Sequence, residues 1–230
     1  MNQTRIALAF LLFCAGSAFA QAPATYHYLP PNSVNIRSVL SGPPAPGSAQ
    51  SQADIQAVLA RQQARTPAAI ARATSEQTLT PAAFATVIGN EFTAENLPAT
   101  FALLNNAASD AEAISDSAKT LWQRPRPPLQ NPAIHPIFAL PSTPSYPSGH
   151  AMRGVLWSMI LAKLDPDHET SLLARGTQIG EDRIIAGVHF PSDVAAGQKL
   201  GRYLAARFLS DARFDHDLER AQEELTFATR

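Results

Sequence analysis

"LPATFALLNNAASDAEAISDSAKTLW", Leu97 to Trp122, decides the fold. Leu104, Ala108, Ala111, Ile114, Ala118 and Leu121 recur at three-to-four spacing and predict one apolar face of a long helix. The pattern repeats on both sides. Upstream, helical periodicity begins from Gln52 in the Ala-rich "SQADIQAVLARQQAR", Ser51 to Arg65. "TPAAFATVIGNEF" places Thr80 to cap a helix and Pro81 at its first position. Downstream, prolines at 125, 127, 128, 132, 136, 141, 144 and 147 predict a long irregular loop. Helical pattern resumes at about His150 and runs to Leu164, where "DPD" stops it. Further helices are expected over roughly Glu169 to Gly180 and from near Ser192, the latter with Val194, Gly197, Leu200, Leu204 and Phe208 inward. "HDLERAQEELTF" reads as a last amphipathic helix. Alternating strands and internal repeats are not evident. The expectation is all-α, a single-domain helical bundle over residues 51–230, preceded by an extended Pro/Gly/Ser-punctuated arm over 21–50.

Residues 1–20 read as a signal peptide. A short basic start precedes the apolar run "IALAFLLFCAG", and Ala18-Phe19-Ala20 offers a small-x-small cleavage site near Ala20. The run is shorter than the roughly 20 residues that a bilayer span needs. Lipidation of Cys14 is the alternative, but Phe13 is bulky where such sites want a small residue. Cleavage implies a periplasmic or secreted protein. Cys14 is the only cysteine, so the expected mature chain can form no disulfide and use no thiol. The 18 basic residues less Arg5, against 19 acidic ones, leave a net charge of −2. That balance argues against nucleic acid or anionic lipid as partner. Later apolar runs are too short to cross a membrane, so no integral membrane association is expected.

Three clusters carry candidate chemistry. "KTLWQRPRP" holds Lys119, Arg124 and Arg126; "PSGH" spans Pro147 to His150; "EDRIIAGVHFPSD" holds Arg183, His189 and Asp193. Each has a bland reading. Basic residues complement a helix C-terminus, Ser148 can be only a cap, and Asp193 can merely offset a helix dipole. His27, His135, His168 and His216 are read as surface or structural residues. Together the clusters suggest more. Lys119, Arg126 and Arg183 would supply the forked cationic donors that a tetrahedral oxyanion demands. Ser148 adds a hydroxyl, Gly149 a bare N–H, and a helix starting near His150 its positive end. Two histidines remain for reaction, and Asp193, one helical turn after His189, can orient that ring.

The spacing Lys119-x6-Arg126-Pro127, Pro147-Ser148-Gly149-His150 and Arg183-x5-His189-x3-Asp193 resembles the three-part signature of the PAP2 phosphatase and vanadium haloperoxidase superfamily. Within it, the segment 115–200 resembles the bacterial class A non-specific acid phosphatases, and the "YLPP" arm and C-terminal helix fit too. The resemblance implies a metal-independent, cofactor-free acid phosphatase with a PAP2/haloperoxidase-type bundle, acting broadly on small phosphate monoesters. It implies that His189 attacks phosphorus, Asp193 orients it, and His150 protonates the leaving group and then activates water. Lys119, Arg126, Ser148, Gly149 and Arg183 would hold the phosphoryl oxygens. Phosphate or vanadate would inhibit, and a homo-oligomer fits the family tendency. The alternatives are a soluble lipid-phosphate or diphosphate phosphatase and a vanadium-dependent haloperoxidase. Asp182 stands where the signature usually has Ser, Ala151 where Thr is common, and Pro144 where Gly is usual. An acid at 182 either points away or pairs with a base. Tyr146, Phe138 and Trp122 are candidates for contacting a leaving group.

Overall fold

The computed structural model describes residues 26–228 and contains no strand among them. The signal-peptide reading and Cys14 lie outside these residues. The helices run in order α1 (Ile36–Val39), α2 (Ala49–Gln63), α3 (Pro67–Ser75), α4 (Ala85–Ile88), α5 (Pro98–Trp122), α6 (Pro127–Gln130), α7 (Gly149–Leu164), α8 (Glu169–Ile185), α9 (Pro191–Phe208) and α10 (Ala212–Ala228). The fold is all-α, as expected.

At the centre lies α7. Met152, Val155, Leu156, Trp157, Ile160, Leu161 and Leu164 are all buried on it, covering most of its circumference, so it must be enclosed. On one side α8 and α9 pack against it. Gly154 of α7 and Gly176 of α8 face each other so closely that a Cβ on either would run into the other's carbonyl oxygen. Gly197 and Gly201 of α9 meet the carbonyls of Ser148 and Met152 in the same way. On the other side is α5, whose Leu104 carbonyl accepts the Trp157 indole N–H at 2.8 Å.

Along α5, Leu104, Ala108, Ala111, Ile114 and Ala118 are buried as the stripe predicts, but Leu121 is 37% exposed. The stripe drifts with the 3.6-residue period, so its last member is Trp122, four residues after Ala118. Trp122 packs edge-on against Tyr146, ring centroids 5.2 Å apart. The start of α5 is capped from a distance: Glu224 of α10 accepts from the Ala99 and Thr100 N–H groups and the Thr100 hydroxyl. The carboxylate neutralises orphan donors and suits the positive helix end.

Two expected elements differ in extent. "TPAAFATVIGNEF" forms a 3-10 turn over Pro81–Phe84 followed by the single turn of α4, which ends at Gly89 with φ +120°. Helix α8 continues past Gly180 to Ile185. Gly180 is there for close packing, since a Cβ would press on Val194 and Ala151; chain reversal waits for Gly187 with φ +74°. The proline interval is irregular apart from α6. Between residues 26 and 48 the chain forms a 3-10 turn and α1, and buries Tyr28, Leu29, Val34, Ile36, Val39 and Leu40. It is pinned by Asp110 of α5, whose carboxylate accepts from the successive N–H groups of His27, Tyr28 and Leu29.

Candidate active site

Three helix ends converge: the C-terminus of α5 with the segment after it, the N-terminus of α7, and the C-terminus of α8 with the turn into α9. A cavity of about 580 Å³ opens among them. Lys119, Arg126, Gly149, His150, Arg183 and His189 all line it. Segments far apart in the chain therefore bring both candidate imidazoles to one space. His27, His135, His168 and His216 are exposed elsewhere.

His189 is buried at the turn into α9. Its Nε2 lies 3.2 Å from Arg126 Nη1, a group that can only donate, so this nitrogen carries a lone pair. The proton of the neutral ring then sits on Nδ1, facing Ser145 Oγ at 3.3 Å and Asp193 Oδ2 at 3.5 Å. Burial, with the Arg126 and Lys119 charges adding to it, lowers the His189 pKa to about 4 against the hydrogen bond that the ring donates to Asp193. The ring is thus neutral above about 4, with Nε2 unprotonated and accepting from Arg126 at the cavity wall.

Asp193 does not touch the cavity. Its carboxylate lies behind His189, accepting from Arg124 Nη1 at 2.5 Å, the Ser145 hydroxyl at 2.6 Å and the Phe190 N–H at 2.9 Å. Burial alone would raise its pKa; the His189 hydrogen bond and charge, Arg124 and Ser145 outweigh that and hold it below the usual carboxylate value. Arg124 is a residue whose role the spacing did not reveal. It spans Asp193 and Asp54 of α2, the latter at 2.8 Å, donates to Ser192 Oγ, and stacks over the Phe190 ring.

His150 sits in the first turn of α7. Its Nε2 is 3.0 Å from the Glu76 carbonyl oxygen, which can only accept, so Nε2 bears the proton; Nδ1, 3.5 Å from the Arg153 Nη2 donor, carries the lone pair. Burial and the neighbouring Arg183, Arg153 and His189 push its pKa well below 6.5. Ser148 caps α7: its hydroxyl oxygen accepts from the Ala151 N–H at 3.3 Å, which leaves the hydroxyl proton to donate.

The cations are held by main-chain oxygens. Lys119 Nζ donates to the Pro144 and Pro147 carbonyls, at 3.2 and 2.8 Å. Arg126 donates to the Thr143 and Val188 carbonyls, each at under 3 Å. Burial lowers the Lys119 pKa to about 8, with Arg126 contributing, and that of Arg126 to about 10. Desolvated charge of this kind favours an entering anion, although Glu112 and Asp116 line the same cavity. Arg183 is 1% exposed and donates to the Ala73 carbonyl and to Glu76.

Asp182 pairs with a base. Fully buried, it takes a two-pronged contact from Arg72 of α3, both bonds at 2.8 Å. Removing that partner strands a buried carboxylate. Arg72→Ala is expected to cost about 2–3 kcal/mol of stability, measured by urea denaturation, and Arg72→Ala with Asp182→Ser to recover most of it. Of the three aromatic candidates only Phe138 lines the cavity. Tyr146 is buried against Trp122 and lines a separate, shallower groove with Gly42 and Lys199, so neither ring reaches a leaving group. Tyr146 belongs to the apolar core instead.

Two imidazoles and the basic side chains of Lys119, Arg126 and Arg183 thus line one cavity of a helical bundle. The PAP2 superfamily model matches residues 99–215, more than half of the chain, and the chain belongs to that superfamily. It is similar to the non-specific acid phosphatase of Salmonella typhimurium, 31% identical over 147 residues that cover 62% of this chain and 59% of that protein. It is also similar to the acid phosphatase of Zymomonas mobilis, 40% identical over 114 residues covering 47% and 42%. The matched region thus spans about half the length of these relatives. Among solved structures, a bacterial vanadium-dependent iodoperoxidase superposes with a TM-score of 0.56 at 18% identity, covering 72% of this chain and 51% of that one, and shares the fold.

Proposed function

We propose that the protein is a phosphatase that hydrolyses phosphate monoesters through a phosphohistidine. The observation that carries this is the unprotonated His189 Nε2 at the wall of the same cavity as His150, Lys119, Arg126 and Arg183. A site that only holds phosphate has no use for a nucleophile and a proton donor together. The similar Salmonella and Zymomonas proteins carry the name acid phosphatase, which supports the same reading.

The ester's phosphoryl oxygens enter the cradle of Lys119, Arg126, Arg183, the Gly149 N–H and the Ser148 hydroxyl. His189 Nε2 attacks phosphorus and the bond to the ester oxygen breaks. His150 Nδ1 delivers a proton to that oxygen, so an alcohol leaves. Asp193 stabilises the positive charge that grows on the His189 ring. Water then attacks the phosphohistidine, His150 takes its proton, and phosphate departs with His189 restored. Expected to act outside the cytoplasm, the protein would meet small phosphate esters there. No helix among the described residues is long and apolar enough to cross a membrane.

Acid operation follows from the two rings. His189 must be neutral, which holds above about 4. His150 must carry the extra proton, which requires a pH below its own depressed pKa, itself under 6.5. The profile of kcat/KM is therefore expected to be a bell on the acid side of neutrality, its alkaline limb falling through the depressed His150 pKa, well below 6.5. An assay of p-nitrophenyl phosphate, nucleotides, sugar phosphates and a phosphodiester tests this, with chelator and with vanadate. Turnover of monoesters, indifference to chelator and inhibition by vanadate are expected. Tight phosphate binding without turnover of any ester would overturn the proposal.

A further inference from the structure

We infer that Glu76, on the turn that ends α3, is a positioning residue of this site: its carboxylate sets the Arg183 guanidinium and its carbonyl oxygen sets the His150 ring. The inference rests on the phosphatase reading for its kinetic consequences, though not for its geometry. Glu76 precedes the span matched by the family model, and none of the three sequence clusters contains it.

Glu76 is 3% exposed, which is costly for a carboxylate without partners. One oxygen accepts from Arg175 Nη2 at 2.5 Å and the other from Arg183 Nη2 at 3.3 Å. Its main-chain oxygen accepts from His150 Nε2 at 3.0 Å and lies 3.4 Å from Arg183 Nη1. The Ala73 carbonyl, one turn earlier, takes Arg183 Nη2 at 2.8 Å. A guanidinium is planar and its donors have fixed directions. With both terminal nitrogens held by the end of α3, the plane is decided, and the buried Nε has no protein partner among the described residues. The same turn holds the proton of His150 on Nε2 and leaves Nδ1 unprotonated, beside Arg153 Nη2. A single residue therefore couples the anion clamp to the acid. The anchor is itself fixed: Arg72 ties α3 to Asp182, beside Arg183, and Arg175 binds the Ala83 carbonyl as well as Glu76. Burial raises the Glu76 pKa, opposed chiefly by Arg175, which agrees with a carboxylate kept dry for the sake of its partners.

Glu76→Gln tests the carboxylate. A guanidinium turned out of register weakens phosphoryl binding throughout the reaction. KM for p-nitrophenyl phosphate and the inhibition constants for vanadate and inorganic phosphate are expected to rise together by about tenfold to a hundredfold, with a smaller change in kcat per folded molecule. A residue that only joins α3 to α8 would lower Tm and leave those constants where they were; that result overturns the inference. If Glu76→Gln does not fold, Glu76→Asp keeps the buried charge but is one methylene short of its two partners, and the same constants are read from it. The carbonyl half is read on the wild-type protein by ¹⁵N NMR of the His150 ring: protonated Nε2 with bare Nδ1 is expected, and the opposite tautomer overturns it. If the wild type hydrolyses no ester, the proposed function fails, while calorimetric titration of phosphate into wild type and Glu76→Gln still decides whether Glu76 sets Arg183.

Discussion

His189→Ala is expected to lower kcat/KM for p-nitrophenyl phosphate by about 10⁴- to 10⁶-fold, the range seen when a nucleophile that works in concert with its neighbours is deleted. Phosphate binding should survive, because Lys119, Arg126 and Arg183 are placed by main-chain oxygens and Glu76 rather than by the ring. His150→Ala provides the contrast. Deleting a general acid costs about 10²- to 10⁴-fold, and least for p-nitrophenol, which leaves without help. Rapid-quench measurement should then show a burst of p-nitrophenol from His150→Ala and none from His189→Ala. A burst from both would mean that another group accepts the phosphoryl.

The second large effect concerns Arg124. It is 5% exposed, and two buried carboxylates, Asp54 and Asp193, depend on it. Arg124→Met fills similar volume but leaves both acids uncompensated. A loss of about 3–5 kcal/mol in unfolding free energy is expected, seen as a lower urea midpoint. Activity of the folded fraction should fall as well, because Arg124 fixes the Asp193 carboxylate in place behind His189. Asp54→Asn should cost less than Arg124→Met, since the Asp193 contact survives it. Equal urea midpoints for Arg124→Met and wild type would refute the account.

Much of this was legible in the sequence because the reacting groups lie in short, evenly spaced runs. Lys119 and Arg126 flank one helix end, and His189 and Asp193 lie one turn apart, so spacing made them candidates and the family resemblance implied their roles. The stripe on α5 and the proline interval declared themselves through period and composition. Arg124 hid between Lys119 and Arg126, where a third basic residue reads as more surface charge; its carboxylate partners are at positions 54 and 193, and only the folded chain joins them. Arg72 and Glu76 were hidden for the same reason. They are ordinary charged residues on an Ala-rich helix, and their importance arises from contacts more than a hundred residues away along the chain. Asp182 left two readings open, an acid turned away or one paired with a base, and the contact with Arg72 decides between them. Gly180 misled because a helical glycine can end a helix or admit a neighbour, and sequence alone does not separate the two.

At Gly154, Gly176, Gly197 and Gly201 main chain rests on main chain. A side-chain contact can be refilled by a bulkier or slimmer residue, but a carbonyl oxygen offers nothing to trim. The angles among α7, α8 and α9, and with them the separation of the two imidazoles, are thereby insulated from drift in the surrounding apolar residues. Change in what this cavity accepts must instead come through its rim, by exchange of loop residues such as Phe138, Leu140 and Thr143, while the reacting groups stay where they are.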